Sequence, residues 1–334
     1  MALIAAGCGN DDDDDVGVGV PTVVATTSIW ADVVTNVACD GLAEVVTIIP
    51  PGGDPHAFQP SLRDRERLED AALIVANGLF LEEGLEDTID AVEESGTPVF
   101  RVADHVSTIE YGSAVGHGGH SEDDHDDHED DHDDHEGHDH DEDDHEDDHD
   151  DHGHAHAHGS EDPHIWFDPI RVADALPALS QALAAQAGLD GTALAECVAA
   201  YRSELIALDA EVDGILAPLH SEDRLLVTNH DALGYFADRY GFQVIGTVIP
   251  SGSTLAEASP AELQALVDLI DETGVAAIFS ESTHSSDDAE ALGREAGVHV
   301  LSLDTGSLGP ADSSSSTYIG FIRTNAQKIA EGLG

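Results

Sequence analysis

The stretch Leu194–Leu219, LAECVAAYRSELIALDAEVDGILAPL, decides how the rest of the chain divides. Leu205, Leu208, Val212, Ile215 and Leu216 recur at three- and four-residue spacing, no glycine interrupts the pattern before Gly214, and Pro218 stops it. That is the period of one long helix. Before it, strand-like runs VPTVVATTS, AEVVTIIP, ALIVAN and TPVFRVA alternate with helical patterns over Ile29–Cys39, Ser61–Ala71 and Leu81–Glu94. A further helix spans Asp168–Gln186, with Asp168 as cap and Pro169 in its first turn. After it, RLLVTN, QVIGTVI, VAAIFSE and VHVLSLD alternate with helices over Ala232–Tyr240, Pro260–Thr273, Asp287–Ala296 and Ser315–Leu333. Short apolar runs with little polar alternation are strands of parallel sheets covered on both faces. The expected fold class is therefore α/β, with two lobes of four mainly parallel strands flanked by helices, joined by one long rigid helix. In such sheets ligands bind beyond the carboxyl ends of the strands, so the loops that follow strands are where chemistry is expected.

Between the two halves of this pattern lies a segment of another kind. From His117 to His158 the chain holds 14 of its 21 histidines, in a run such as HSEDDHDDHEDDHDDHEGHDH. Nothing there can repay the entropy of ordering a packed core, so residues 116–160 are expected to be a disordered His/Asp/Glu-rich insertion. Acidity alone would describe a solvated tail, but a histidine every three or four residues adds the donors that borderline divalent ions prefer. The run's 21 carboxylates between Glu122 and Asp151 account for part of the formal charge of −59 and leave −38 on the rest. Lys328 is the one lysine, beside ten arginines. An acidic surface of this strength argues against nucleic acid and anionic membrane as partners, and suits a saline medium in which self-repulsion is screened.

The opening residues MALIAAGCGNDDDDD resemble the end of a bacterial lipoprotein signal, with Cys8 as the lipid-bearing residue and Asp11–Asp15 as the start of a tether. Ala5 departs from that pattern, which usually has leucine there. Residues 1–19 are accordingly read as a truncated signal and tether, 20–190 as the N-terminal lobe, 191–219 as the linking helix and 220–334 as the C-terminal lobe. With Cys8 lipidated, Cys39 and Cys197 remain, either as one disulfide or as two buried thiols.

Seven histidines lie outside the run: His56, His105, His164, His220, His230, His284 and His299. Three share a placement. His56 stands in IIPPGGDPHAFQPS after the second strand, His164 in DPHIWFDP just before a capped helix, and His230 in TNHDALGYFADRYGF at the end of the first strand of the second half. A lone histidine is more often a satisfied polar group than a ligand, but three so placed, in a chain that already carries a histidine run, point to one metal site. His220 reads as a surface residue, and His105, His284 and His299 as structural or exposed.

These three motifs, with TGSLGP and STYIGFIRTNAQKI near the C-terminus, closely resemble the zinc- and manganese-binding solute-binding proteins of bacterial ABC metal importers. The resemblance runs from about Val23 to Leu333 and includes a His-rich insertion in the usual place. It implies two α/β lobes bridged by a rigid helix with the metal between them, and a monomer outside the cytoplasm, periplasmic or lipid-anchored, serving membrane permease and ATPase subunits. It also implies His56, His164 and His230 as metal ligands. The family's aspartate immediately before an S-L-G turn is replaced here by Gly306. The nearest carboxylate is Asp304, two residues earlier and so on the same side of an extended segment; it is the expected fourth ligand, with Glu281 or water as alternatives. Three imidazoles and at most one carboxylate suit Zn²⁺, with Mn²⁺ the alternative, since harder oxygen donors favour manganese. Against a zinc hydrolase, none of the three histidines is followed by the glutamate that such an enzyme's metal-binding helix carries. A metal buffer whose function is the run itself is the remaining rival.

Overall fold

The computed structural model describes residues 19–112 and 161–334. The expected tether and the His-rich insertion, and with them Cys8 and the expectation of disorder, lie outside these residues, apart from Gly19.

Two sheets of four parallel strands form the described fold. The first has the order β2-β1-β3-β4, from β1 (Thr22–Ala25), β2 (Glu44–Thr47), β3 (Leu73–Ala76) and β4 (Val99–Arg101). The second repeats that order as β6-β5-β7-β8, from β5 (Leu225–Thr228), β6 (Gln243–Thr247), β7 (Ala277–Glu281) and β8 (His299–Leu303). Successive side chains of a strand point to opposite faces, and here both faces are apolar. Val23, Ala25, Leu73 and Val75 enter one core, while Val24, Ile74 and Ala76 enter a separate one on the outer face. The second sheet divides likewise, Leu226, Ala277 and Phe279 facing inward and Val227 and Ile278 outward.

The first sheet is flanked by α1 (Ser28–Val37), α2 (Leu62–Glu69) and α3 (Glu86–Glu94). Next come α4 (Pro169–Gln186) and α5 (Gly191–Leu216). The second sheet is flanked by α6 (Gly234–Tyr240), α7 (Pro260–Thr273), α8 (Asp287–Ala296) and α9 (Tyr318–Leu333). The long helix, α5, starts at Gly191, where the Asp190 side chain accepts the N–H groups of Thr192 and Ala193 and caps it. Its 26 residues span roughly 39 Å. One continuous apolar cluster runs from Val23 and Trp30 in the first lobe, through Leu205, Leu208 and Val212 of α5, to Phe236 and Phe321 in the second. The lobes therefore share a core along this helix, so parting them would expose apolar surface.

α3 departs from expectation. Its helical pattern reaches back to Leu81, yet the helix begins at Glu86. Residues 81–85 form turns, and Gly78, Leu79 and Phe80 before them take positive φ values of 85°, 56° and 58°. A left-handed conformation costs a non-glycine residue about 1–2 kcal/mol, so something must hold this turn. The fully buried Glu82 does so: its carboxylate accepts from Thr26 Oγ1 at 2.5 Å and from the Asn77 N–H at 2.8 Å. Burial pushes this carboxyl above the usual range. An inward-turned glutamate thus overrides local helix propensity and places the next residue, Glu83, toward the cleft.

Cys39 and Cys197 form a disulfide between the turn after α1 and the helix α5, with Cα atoms 6.0 Å apart and a sequence separation of 158. It ties the first lobe to the linking helix. A cross-link closing so long a loop is expected to contribute about 2–5 kcal/mol. Replacing both cysteines by serine should lower the unfolding free energy by that amount in denaturant titrations and leave it insensitive to reductant, whereas the parent chain should lose stability when reduced.

Candidate metal site

The loop after β2, the segment before α4 and the loop after β5 bring His56, His164 and His230 to one point between the lobes. All three are buried, at 3%, 1% and 2% exposure. Their candidate ligand atoms lie within 4.8 Å of one another, and among the described residues this is the group of histidine, cysteine or carboxylate side chains suited to hold an ion. His164 Nε2 stands 3.2 Å from His56 Nε2 and 3.2 Å from His230 Nε2. Two nitrogens bound tetrahedrally at zinc distances stand about 3.3 Å apart.

Each imidazole is held from behind by a carboxylate. Glu83 Oε1 lies 3.2 Å from His56 Nδ1, Asp162 Oδ1 lies 2.7 Å from His164 Nδ1, and Glu281 Oε1 takes His230 Nδ1. A carboxylate at Nδ1 draws the ring proton to that nitrogen, so Nε2 presents a lone pair toward the centre. Three lone pairs cannot hydrogen-bond one another. A cation among them turns that repulsion into coordination, and the three carboxylates behind supply the compensating charge.

Titration follows the same geometry. Burial, with the two neighbouring imidazoles, pushes His164 well below the ordinary histidine range, so it stays neutral as coordination requires. Burial also pushes its partner Asp162 up to about 7. At His230 burial disfavours the charged form, but Glu281 outweighs it and raises the imidazole. Burial would raise Glu281, yet His230 and the Thr305 hydroxyl, which donates to Oε2 at 2.6 Å, hold it at about 2.

Asp304, the expected fourth ligand, stands apart from this group. The structure does not bring it into the group of three. β8 ends at Leu303, and the Asp304 backbone is clamped on both sides by Asn325 of α9, with its N–H on Oδ1 at 3.1 Å and its carbonyl on Nδ2 at 2.6 Å. The neighbour Thr305 turns its hydroxyl to Glu281. At Gly306, where the family pattern has aspartate, a Cβ would stand 2.7 Å from Pro55 Cδ, so that slot is filled by the ring preceding His56. Glu281, the alternative ligand, is committed to His230 and Thr305. Of the remaining histidines, His105, His220 and His299 are exposed, and His284 faces Asp54 at 3.1 Å.

Sequence reasoning missed Glu83 and Asp162. Asp162 had a signal, since DPH occurs at both His56 and His164; Glu83 had none, because its position depends on the left-handed turn. A cleft of about 540 Å³ lined by Leu79, Phe80, Glu83, Tyr111 and Ser251 opens beside His56 and offers an approach to the site.

The family described as "Zinc-uptake complex component A periplasmic" (ZnuA) matches residues 23–332. This chain belongs to that family. It is thus one of the solute-binding proteins of ABC metal importers, which are binding proteins rather than enzymes. Among its relatives, zinc-binding protein TroA of Treponema pallidum is 28% identical over 321 residues, covering 94% of this chain and 89% of the relative. Manganese-binding lipoprotein MntA of Halalkalibacterium halodurans is 25% identical, covering 100% and 95%. Iron-binding protein YfeA of Yersinia pestis is 26% identical, covering 93% and 86%. The solved structure of periplasmic TroA superposes with a TM-score of 0.75, covering 95% of this chain and 100% of that one. Its two-lobed architecture is the one described above. Among the described residues no helix is long and apolar enough to cross a membrane.

Because Glu281 holds His230 above the ordinary imidazole value of about 6.5, protons should compete with a bound ion before pH falls that far. Divalent-ion affinity is expected to drop about tenfold per pH unit below the raised value, one proton being displaced per ion. Glu281→Gln removes the cause of the raising and leaves burial to act alone. It should move the onset to lower pH while weakening binding near pH 8 by about 10–100-fold. Chelator-competition titrations from about pH 5 to 8 measure both, and an unmoved onset would refute this account of His230.

Proposed function

We propose that this protein captures Zn²⁺ outside the cytoplasm and delivers it to the permease of an ABC importer whose ATPase drives uptake. The convergence of three Nε2 atoms on one buried point, each ring fixed by a carboxylate, carries this reading. His56, His164 and His230 are the proposed ligands, and Asp304 is not among them. Neutral nitrogen donors without a carboxylate in direct reach favour zinc over manganese. Gly306 strengthens the choice, because Pro55 occupies the space in which the family's aspartate would supply a hard oxygen. Relatives named for manganese and iron at similar identity keep Mn²⁺ as the second reading, and competition between metals discriminates the two. A lipid on Cys8 would anchor the protein at the outer face of the membrane, as the lipoprotein relatives' names suggest.

His56→Ala, His164→Ala and His230→Ala should each lower zinc affinity at least tenfold, or about 1.4 kcal/mol. Asp304→Ala should change it by less than about twofold. Isothermal titration with zinc against manganese in competition is the measurement. Manganese displacing zinc at comparable concentration would overturn the metal assignment. A chain lacking residues 116–159 should keep one tight site, whereas a metal buffer would lose nearly all binding.

A further inference from the structure

The two DPH triplets begin alike and end differently. In each, the aspartate Oδ1 accepts the backbone N–H of its own histidine, at 3.1 Å for Asp54 and 2.9 Å for Asp162. Asp162 then uses the same oxygen to hold the ring of His164. At the first triplet that task belongs to Glu83, and Asp54 turns its other oxygen across the cleft. Asp54 Oδ2 accepts from Thr254 Oγ1 at 2.8 Å and pairs with His284 Nε2 at 3.1 Å. Thr254 stands in the loop after β6 and His284 in the loop after β7, so both belong to the second lobe. The His284 ring is itself set in place, with Thr283 Oγ1 at 3.1 Å and Glu281 Oε2 at 3.9 Å from its Nδ1. The same stretch of the first lobe meets the second twice more: the Gly52 N–H donates to Ser307 Oγ at 2.7 Å, and Pro55 packs on Gly306.

We infer that Asp54, Thr254 and His284 form a latch between the lobes, two residues from His56, that sets the rate at which the ion leaves the cleft. The inference rests on the metal-site reading above. The latch residues do not hold the ion; they are positioning residues that keep the His56 loop against the lobe carrying His230. An ion seated between the lobes departs when that loop swings away, which breaks the two hydrogen bonds to Asp54. Both end on a carboxylate shielded from most solvent, with 11% side-chain exposure for Asp54 and 21% for His284, so screening by water is limited.

The test is the release of zinc from the full-length chain, loaded with one equivalent and mixed rapidly with excess chromophoric chelator. His284→Ala and Thr254→Val should each speed the slow phase by about tenfold, the loss of one charge-assisted hydrogen bond. His284→Gln, which restores a donor, should return the rate toward that of the parent. Melting of the metal-free chain should change little in all three, because the latch contributes only a few contacts to a core shared along α5. An unchanged slow phase in His284→Ala and Thr254→Val would overturn the latch. So would a His284→Gln variant as fast as His284→Ala. His230→Ala separates the two readings: if it abolishes the slow phase while the latch variants leave it untouched, only the latch falls. If it too leaves the slow phase intact, the ion is not in the cleft and both readings fall.

Discussion

Three imidazole nitrogens converge between the lobes, with His164 Nε2 at 3.2 Å from each neighbour. The arrangement persists because each ring is held at its far nitrogen by a carboxylate on a separately anchored element, Asp162 and Glu281 buried and Glu83 partly so. Glu83 is delivered by the left-handed turn that Glu82 holds, Asp162 by its own triplet, and Glu281 by the last position of β7. Removing any grip would free a ring to rotate and relieve the crowding. The rest of the fold can be understood as what keeps those carboxylates where they are.

Two lobes are needed because one sheet does not supply all the donors. His56 and His164 come with the first lobe and His230 with the second, His56 and His230 in loops after strands and His164 just before the capped start of α4. The repeated order of the two sheets places like loops face to face across the cleft. The core that passes along α5, together with the disulfide from Cys39 to Cys197, limits how far the lobes can part. Small loop movements about that helix, rather than wide opening, are the motions this packing permits. A cargo protein benefits, since an ion held by preformed donors loses little free energy to reorganisation.

Nitrogen donors in the centre with oxygen donors behind give the site its character. The carboxylates stand behind the rings, where they would offset an ion's charge, and Pro55 occupies the space beside Gly306 that a side chain there would need. Proton and metal then compete for the same lone pairs, with Glu281 tilting His230 toward the proton and burial tilting His164 away from it.

The layout of strands and helices was legible in the sequence because period two and period 3.6 are local signals, and both sheets and the linking helix follow them. The three histidines were legible as a set because loop position after strands is also local. What tertiary structure decided concerns partners distant in the chain. The start of α3 moved from Leu81 to Glu86 because a buried carboxylate found Thr26, 56 positions away. Spacing put Asp304 on the side of Gly306, but only the packed chain shows its backbone held by Asn325 and outside the group of three histidines. The choice between a disulfide and two thiols depended on whether the turn after α1 meets α5. Identical DPH triplets acquired different roles because Glu83 reached one ring and not the other. Local pattern is written in neighbours along the chain; which carboxylate meets which imidazole depends on how the folded chain packs.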